Sequence, residues 1–274
     1  MAKQKEERVK NLTHFEFLIE AMLRVEHLRI SAQTRDTHLQ KRGRQDPFTV
    51  DILGKLRELE HYIDKIVAGE IEDHSAYPWF SQIKGIGREN IAKVVGLIDI
   101  YKAPYPSSLV KWAGYAPGAD GKAMRKKRGQ KIEYNAELRP LCYRLGGSLM
   151  KARGSYYDYY LDCKAAYVKR FTEDEGKEIV PKDKLPRKKN ERGKWVHYET
   201  DELISEGHVH LMALRKTIKL FLHHLWYEWR KAEGLPTASP WIIEHGGHRH
   251  IITSEEMIDK AKTAKKKARK AQPA

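Results

Sequence analysis

The chain has 274 residues, of which 52 are lysine or arginine and 37 are aspartate or glutamate, so its formal net charge is +15 at pH 7. This length allows one large or two modest domains, and so positive a balance is typical of proteins that bind a polyanion. The sequence has no apolar run of about 18 residues and no apolar signal core. We therefore predict a cytoplasmic protein without a membrane span, in which the two cysteines, Cys142 and Cys163, are reduced.

Residues 1–75 are predicted to form a helical hairpin or coiled-coil region. The pattern Thr13-x-x-Glu16 is a capping box ahead of a first apolar helical series. After a polar break at 41–47, a second series recurs at 4-3-4-3 spacing: Ile52, Leu56, Leu59, Ile63 and Ile66. Such a seam indicates either pairing of the two helices within the chain or a surface for a second copy. The second alternative predicts a homo-oligomer.

The segment IKGIGRENIA, residues 83–92, places two glycines ahead of a helical pattern. The third glycine of a dinucleotide-binding loop is missing, so the pattern favours a helix, a tight glycine turn and a second helix. Gly85 and Gly87 would permit positive φ and close approach of the backbone to another surface. The amides that begin the second helix suit a phosphate, and Lys84, Arg88 and Lys93 favour a nucleic acid. The alternative is a helical corner without a ligand.

A basic loop at residues 122–131 is the second candidate for nucleic-acid contact. It carries six cations and no acid: Lys122, Arg125, Lys126, Lys127, Arg128 and Lys131. Lysine and arginine neutralise phosphates and release counterions. The nearby aromatics Trp112, Tyr115 and Tyr134 could stack on unpaired bases. The alternative is a solvated charged loop beside aromatic residues of the core.

The rest of the chain has weaker patterns. Residues 172–205 are charged and carry prolines, so we predict a loop insertion, with a short hairpin near Trp195 to Tyr198 as an option. A strong helix resumes at His208, and residues 76–232 therefore form one predicted domain that includes this insertion. Residues 233–274 form a C-terminal extension with a basic tail that suits polyanions. The fold class is mainly α.

The sequence does not predict an active site or a cofactor. His245, His248 and His250 follow a glutamate, but no cysteine and no evident fourth ligand lie nearby, so we expect hydrogen-bonded or surface histidines and no metal. The patterns GxSxG, HExxH and GxxxxGK[ST] do not occur. Catalytic residues cannot be named, and Mg²⁺ would be required only with a catalytic partner.

Five segments in order resemble the C-terminal, helix-hairpin-helix domain of the IS-one-ten family of insertion-sequence transposases, over residues 77–230. The positions that match are Gly85, Ile86, Gly87 and Ala92; Leu109, Ala113, Gly114, Ala116 and Pro117; Gly121 and Lys122; Asn135, Leu138 and Arg139; and Ala213, Arg215 and Lys216. The resemblance implies DNA binding in transposition or recombination in the cytoplasm of a prokaryote or in a virus, with structured RNA as a second ligand.

Three departures from the family bear on catalysis. The family's N-terminal RNase H-like domain, with its metal-binding acids, is expected to be absent, and Asp120 stands where the family has a serine implicated in strand exchange. Tyr134 replaces the family's glycine before Asn135, and about 30 inserted residues separate the two late helices. Enzymatic activity is therefore left open, and a partner catalytic subunit is one expectation. The alternatives are a stand-alone strand-cleaving recombinase and a non-catalytic helical adaptor.

The DNA contacts that we predict combine the glycine turn, the basic loop and the late helices. They are Lys84, Gly85, Gly87, Arg88, Lys93, Lys122, Arg125, Lys126, Lys127, Arg128, Lys131, Arg139, Arg215 and Lys216.

Overall fold

The computed structural model describes residues 13–118, 121, 123–126, 129, 131–237 and 252–258. These residues are mainly helical, as the sequence predicts. The helices are α1 (His14–Gln40), α2 (Pro47–Glu70), α3 (Tyr77–Phe80), α4 (Arg88–Gly96), α5 (Pro106–Trp112), α6 (Leu138–Ala152), α7 (Ser155–Lys169) and α8 (Glu206–Ala232). None of the helices in these ranges is both long enough and apolar enough to cross a membrane.

The first helix begins at the residue that the capping box predicts, and a side-chain cap also begins the second. Thr13 accepts a hydrogen bond from the Glu16 amide at 3.2 Å, and the Glu16 carboxylate accepts one from the Thr13 amide at 2.9 Å. Asp46 caps α2 through the amide of Phe48 at 3.2 Å. The two helices lie side by side, and an ion pair between Arg29 and Glu60 joins them.

A single large buried cluster runs through most of the helices of the described chain. The helix α4 is its centre, since four of its apolar residues are buried between α1, α2 and α6: Ile91, Ala92, Val94 and Val95. Gly96 lies so close to α1 that an added Cβ would be 2.5 Å from the Ile19 side chain. The helices α1 and α2 therefore share their core with the rest of the fold, through Ile19, Met22 and Val67 among others.

The predicted insertion has more structure of its own than its sequence pattern indicates. Its strands are β1 (Glu178–Val180), β2 (Arg187–Lys189), β3 (Trp195–His197) and β4 (Leu203–Ser205). Strand β1 pairs in parallel with β4, and β2 pairs antiparallel with β3. A second, small core of Phe171, Ile204 and Val209 attaches this unit to α8. Strands of three residues are too short to produce a visible alternation, and the sequence could suggest only the hairpin near Trp195.

The described part of the C-terminal extension, residues 252–258, returns to α8. Met257 enters the large core, and the ring of buried His224 contacts the Ile252 carbonyl at 2.9 Å and the Tyr156 hydroxyl at 2.8 Å. Burial, ahead of its other causes, lowers the pKa of His224 to about 4. This histidine is therefore neutral at physiological pH and has a packing role.

Candidate nucleic-acid interface

The glycine turn between α3 and α4 is held firmly against α6. Ile83 and Ile86 are buried beneath the turn. Gly85 adopts φ +90°, and a Cβ added there would lie 2.5 Å from the Ala152 Cβ and 2.9 Å from the Ser148 carbonyl oxygen. The positive φ and the close approach that we expect of Gly85 are therefore both present, but the surface approached is the chain's own helix α6.

Gly87 differs from its prediction. Its φ of −89° and ψ of 165° are extended values that any residue adopts, so positive φ is not the reason for a glycine here. A Cβ added at Gly87 would meet no atom within 4 Å. Gly87 is the residue that precedes α4, and it offers no side-chain oxygen to cap the first amides of the helix. The space in front of these amides is open at Gly87.

The cations around the turn divide into exposed and buried. Lys84 and Arg88 are exposed, and Arg88 contacts Glu72 and the Tyr77 hydroxyl. Lys93 is 8% exposed, and its ammonium lies 2.9 Å from the Glu26 carboxylate of α1. The prediction of Lys93 as a DNA contact is therefore wrong. Five residues after Arg88, it points about 140° around the helix, toward α1 and not outward.

The Glu26–Lys93 pair is electrostatically coupled inside the helix packing. Burial acts to raise the pKa of Glu26, but the hydrogen bond and the charge of Lys93 outweigh it and hold that pKa below its usual range. Lys93 thus neutralises a carboxylate that α1 brings into the fold.

Two arginines hold the base of the basic loop and do not reach outward. Arg139 donates to the Met124 carbonyl at 2.7 Å, and its guanidinium lies 4.7 Å from the centre of the Tyr134 ring. Arg215 donates to the carbonyl of Tyr115 at 2.7 Å and to that of Ala116 at 3.2 Å. Both arginines are half-buried. Their predicted role as DNA contacts is therefore corrected to one of positioning the loop.

The cations that the basic loop presents are Arg125, Lys126 and Lys131, all exposed. Lys122, Lys127 and Arg128 lie outside the described residues. Lys216 is exposed on α8, 5.9 Å from the Tyr167 ring centre. Within the described ranges, no ion pair engages the three exposed loop cations, so their charge faces solvent.

Only one of the three aromatics near the loop suits stacking on a base. Tyr115 is 6% exposed and belongs to the core, so its predicted stacking role is wrong. The Tyr134 ring lies beneath the Arg139 guanidinium. Trp112 is 45% exposed, and its indole N–H donates to the Leu97 carbonyl at 3.0 Å. Its ring is therefore fixed in orientation while part of it faces solvent.

The turn and the basic loop contact opposite ends of α6. Gly85 lies on Ser148 and Ala152, whereas Arg139 at the other end binds the loop. These positions are nine to 13 residues apart, or about 15–20 Å along the helix. They also lie on different flanks of α6. A ligand that contacts both must span roughly 4–6 base pairs of duplex.

A groove between α1 and the segment around α5 was not predicted from the sequence. Its volume is about 1070 Å³, and it is lined by Trp112, Ser108, Asn135 and residues of α1, among others. Acids outnumber lysines and arginines in its wall: Glu16, Glu20, Asp99, Glu133 and Glu137 against Arg24, Lys102 and Lys111. The groove is therefore a poor phosphate site. Its walls come from segments that are separate in the sequence, so sequence patterns alone do not predict the groove.

Groups for metal or thiol chemistry do not collect in the described part of the chain. No three His, Cys, Asp or Glu residues there form a candidate metal site. His245, His248, His250 and Asp120 lie outside those residues. Both cysteines are buried and reduced, and burial raises the pKa of the Cys142 thiol to about 12. Such a thiol is not a nucleophile at neutral pH.

Comparison of the chain with known protein families, with curated proteins and with solved structures finds no match in any of the three.

Proposed function

We propose that this chain is a transposase-related protein that binds nucleic acid through its backbone, with DNA as the main ligand and structured RNA as the second. In this proposal α3, the turn and α4 act as a helix-hairpin-helix motif. The observation that carries the proposal is the exposed, uncapped start of α4 at Gly87, next to Lys84 and Arg88.

The packing of the turn supports a phosphate contact there. Because Gly85 is pressed onto α6, the turn is held in one conformation, and the amides that begin α4 are already oriented. The empty space at Gly87 lets a phosphate oxygen approach those amides. Glu89 lies in the first turn of the same helix and opposes an anion. Arg88 is paired with Glu72, and we expect it to turn from that carboxylate to the phosphate and so to offset the charge of Glu89.

The basic loop would add an attraction that does not depend on base sequence. Arg139 and Arg215 fix its base, and Arg125, Lys126 and Lys131 extend into solvent. Each phosphate that these side chains neutralise releases counterions, so binding should weaken steeply with salt. Trp112 is the candidate for stacking on an unpaired base.

Fluorescence anisotropy with a DNA duplex and a folded RNA hairpin, over a series of salt concentrations, tests this proposal. We expect binding at low salt and a linear fall of log K with log salt. Absence of binding to both ligands at low salt, or binding that does not respond to salt, would contradict it.

A structural role through self-association is the second candidate, and one feature of α2 favours it. The residues of the predicted seam do not all face the same way in the structure. Ile63 is buried toward α1, while Ile52 and Leu59 are about half exposed. An exposed apolar stripe at steps of three, four and seven runs along the outer face of α2: Phe48, Ile52, Leu59 and Tyr62. Ile66 continues it but is partly buried against the core. We propose a second copy of this chain as its occupant.

The stripe is self-complementary in an antiparallel pair of α2 helices. When Ile52 of one copy lies opposite Tyr62 of the other, Phe48 lies opposite Ile66 by the same register. Asp51 and Lys65 flank the stripe and come opposite each other with favourable charge. The resulting homodimer is compatible with DNA binding and would present two turns and two basic loops to one ligand.

Strand cleavage by this chain alone is the third candidate. Incubation with supercoiled plasmid and Mg²⁺ or Mn²⁺ tests it. Nicking that Asp120→Ala abolishes would favour a stand-alone recombinase, and intact plasmid would favour a requirement for a partner catalytic subunit.

A further inference from the structure

The strands β2 and β3 form a small antiparallel ribbon with an unusual concentration of positive charge. Arg187 pairs with His197, Lys188 with Val196, and Lys189 with Trp195. Between residues 187 and 198 the chain carries one acid, Glu191, and five cations: Arg187, Lys188, Lys189, Arg192 and Lys194. All five cations are exposed, and no ion pair engages them within the described ranges.

The tip of the ribbon is rigid although it is fully exposed. The side chain of Asn190 accepts hydrogen bonds from the amides of Arg192 and Lys194, each at 3.0 Å. The Asn190 amide donates to the Lys194 carbonyl at 2.9 Å, and Gly193 supplies the φ of +71° that closes the turn. The charged side chains are therefore presented on a fixed backbone, which reduces the entropy lost on binding.

The two aromatic rings of the ribbon support lysines. The Lys188 ammonium lies 4.7 Å from the centre of the Tyr198 ring, and the Lys189 ammonium lies 5.5 Å from that of Trp195. Each lysine occupies one face of its ring, while the Trp195 side chain stays 64% exposed. The rings therefore hold the two ammonium groups in place for contact with a phosphate surface.

The base of the ribbon is tied to the body at Leu185 and through the strand that leads into α8. Leu185 is buried at the foot of β2, and the His197 ring contacts its carbonyl at 2.9 Å. The adjoining strand β4 leads directly into α8, where Val209 belongs to the small core. Arg215, which holds the basic loop, follows Val209 by six residues, or about 9 Å along α8. Val209 and Arg215 thus both lie within the first ten residues of α8.

We propose that this ribbon enters the major groove of a B-form DNA duplex, with its lysines and arginines on the flanking phosphates. The proposal rests on the proposed nucleic-acid binding and adds a contact site that the glycine turn and the basic loop do not include. The major groove of B-DNA admits a two-stranded ribbon, whereas the major groove of an RNA duplex is too deep and narrow for side chains to read. The ribbon should therefore discriminate DNA duplex from RNA duplex.

The triple variant Lys188→Ala/Lys189→Ala/Arg192→Ala tests the proposal in the full chain. Its matched control is Lys41→Ala/Arg42→Ala/Arg44→Ala, which removes the same charge from exposed positions between α1 and α2. Anisotropy would be measured with a 20-base-pair DNA duplex, an RNA duplex of the same sequence and the DNA single strand, over a salt series. Circular dichroism would verify that each variant keeps its helical content.

The ribbon variant should bind the DNA duplex about 10- to 100-fold more weakly than wild type, with a salt slope lower by about three. The control variant should lose much less affinity for the DNA duplex. The ribbon variant should bind the DNA single strand and the RNA duplex nearly as tightly as wild type does. Equal losses in the two variants, or equal losses on all three ligands, would overturn the ribbon proposal. If wild type binds none of the three ligands, the proposed nucleic-acid binding itself is wrong. If Gly87→Val weakens binding and the ribbon variant does not, only the ribbon proposal fails.

Discussion

At the scale of single residues, two neighbouring glycines have different reasons for being glycine. Gly85 has a positive φ and no room for a Cβ, whereas Gly87 has an ordinary backbone and open space. The sequence pattern treats them alike, because both precede a helix in the same motif. Only the approach of α6, which comes from about 60 residues later in the chain, distinguishes them.

Gly85→Ala should therefore destabilise the fold, and Gly87→Ala should not. The added methyl at Gly85 meets backbone and a methyl group at contact distances that do not occur, in a strained backbone region, and we expect a loss of about 2–3 kcal/mol in the free energy of unfolding. Urea denaturation followed by circular dichroism measures it. Equal stability of the two variants would refute the assigned packing of the turn.

Asp64 should make the stability of the protein depend on pH. One of its carboxylate oxygens is buried without a hydrogen-bond partner in the described chain, and burial, followed by the charge of Glu89, raises its pKa to about 6. A carboxyl whose pKa is raised on folding favours the protonated native state. The contribution of Asp64 to the free energy of unfolding is therefore fully present below pH 4, and it decreases as the pH rises to about 6.

The variant Asp64→Asn should remove this penalty. Above pH 7 it should be more stable than wild type by roughly 1 kcal/mol, a value reduced for partial exposure, and near pH 4 the difference should vanish. Thermal unfolding at several pH values measures the difference. Asp51→Asn, on the exposed side of the same helix, is the control and should change stability by less than about 0.5 kcal/mol. A gain at pH 7 that persists at pH 4 would contradict the assigned cause.

Charged residues are the least predictable positions of the candidate site. Lys93, Arg139 and Arg215 resemble Lys84 and Arg88 in the sequence, since each lies in or near a motif. The structure separates them by burial. Lys93 is buried against Glu26, and Arg139 is half-buried on the Met124 carbonyl. Arg88, by contrast, stays exposed although it pairs with Glu72. Apolar periodicity does not specify such partners, and so exposure at these positions could not be derived from the sequence.

At the scale of elements, the helices follow from the sequence more closely than the strands do. The capping box at Thr13 lies where its pattern indicates, because local hydrogen bonds determine it, and Asn135 likewise accepts a hydrogen bond from the Leu138 amide at the start of α6. The four strands are three residues long, too short for a visible alternation, and only β2 is charged throughout, so they share no sequence signal. Their pairing and the small core of Phe171, Ile204 and Val209 are set by tertiary contacts.

The exposed stripe on α2 leads to a prediction about mass. Wild type should form a dimer of about twice 31.9 kDa, and Ile52→Asp/Leu59→Asp should be a monomer, because each charge would be buried unpaired at the interface. Light scattering coupled to size-exclusion chromatography measures the mass. Leu211→Asp, at a half-exposed leucine of α8, is the control and should stay dimeric. A monomeric wild type would exclude α2 as a dimer interface.

At the scale of the whole molecule, the predicted fold class is correct, whereas the layout of the site required the structure. The contacts of the turn and of the basic loop are about 15–20 Å apart along α6 and on different flanks of it, and the ribbon is a separate element joined to α8 through β4. The relative positions of these sites depend on how the helices pack, so the spacing of residues in the sequence does not predict them. A ligand that contacts all three sites must be extended, which fits a duplex.

The central claim is that the amides at Gly87 hold one phosphate in fixed geometry while the basic loop supplies diffuse attraction. The two contributions should separate in a salt series on the full chain with a DNA duplex and structured RNA side by side. Gly87→Val fills the space in front of the amides without strain, and Gly54→Val, at an equally open glycine of α2, is its control. Arg125→Ala/Lys126→Ala/Lys131→Ala removes three exposed loop cations.

The most direct test is the salt slope of log K for these variants, measured by fluorescence anisotropy. Gly87→Val should weaken binding about tenfold and leave the slope nearly unchanged, since one rigid contact is lost among several. The loop variant should lower the slope by about three, one for each cation removed. If Gly87→Val binds as tightly as wild type and Gly54→Val, the glycine turn is a structural corner, and its assignment as a phosphate site is wrong.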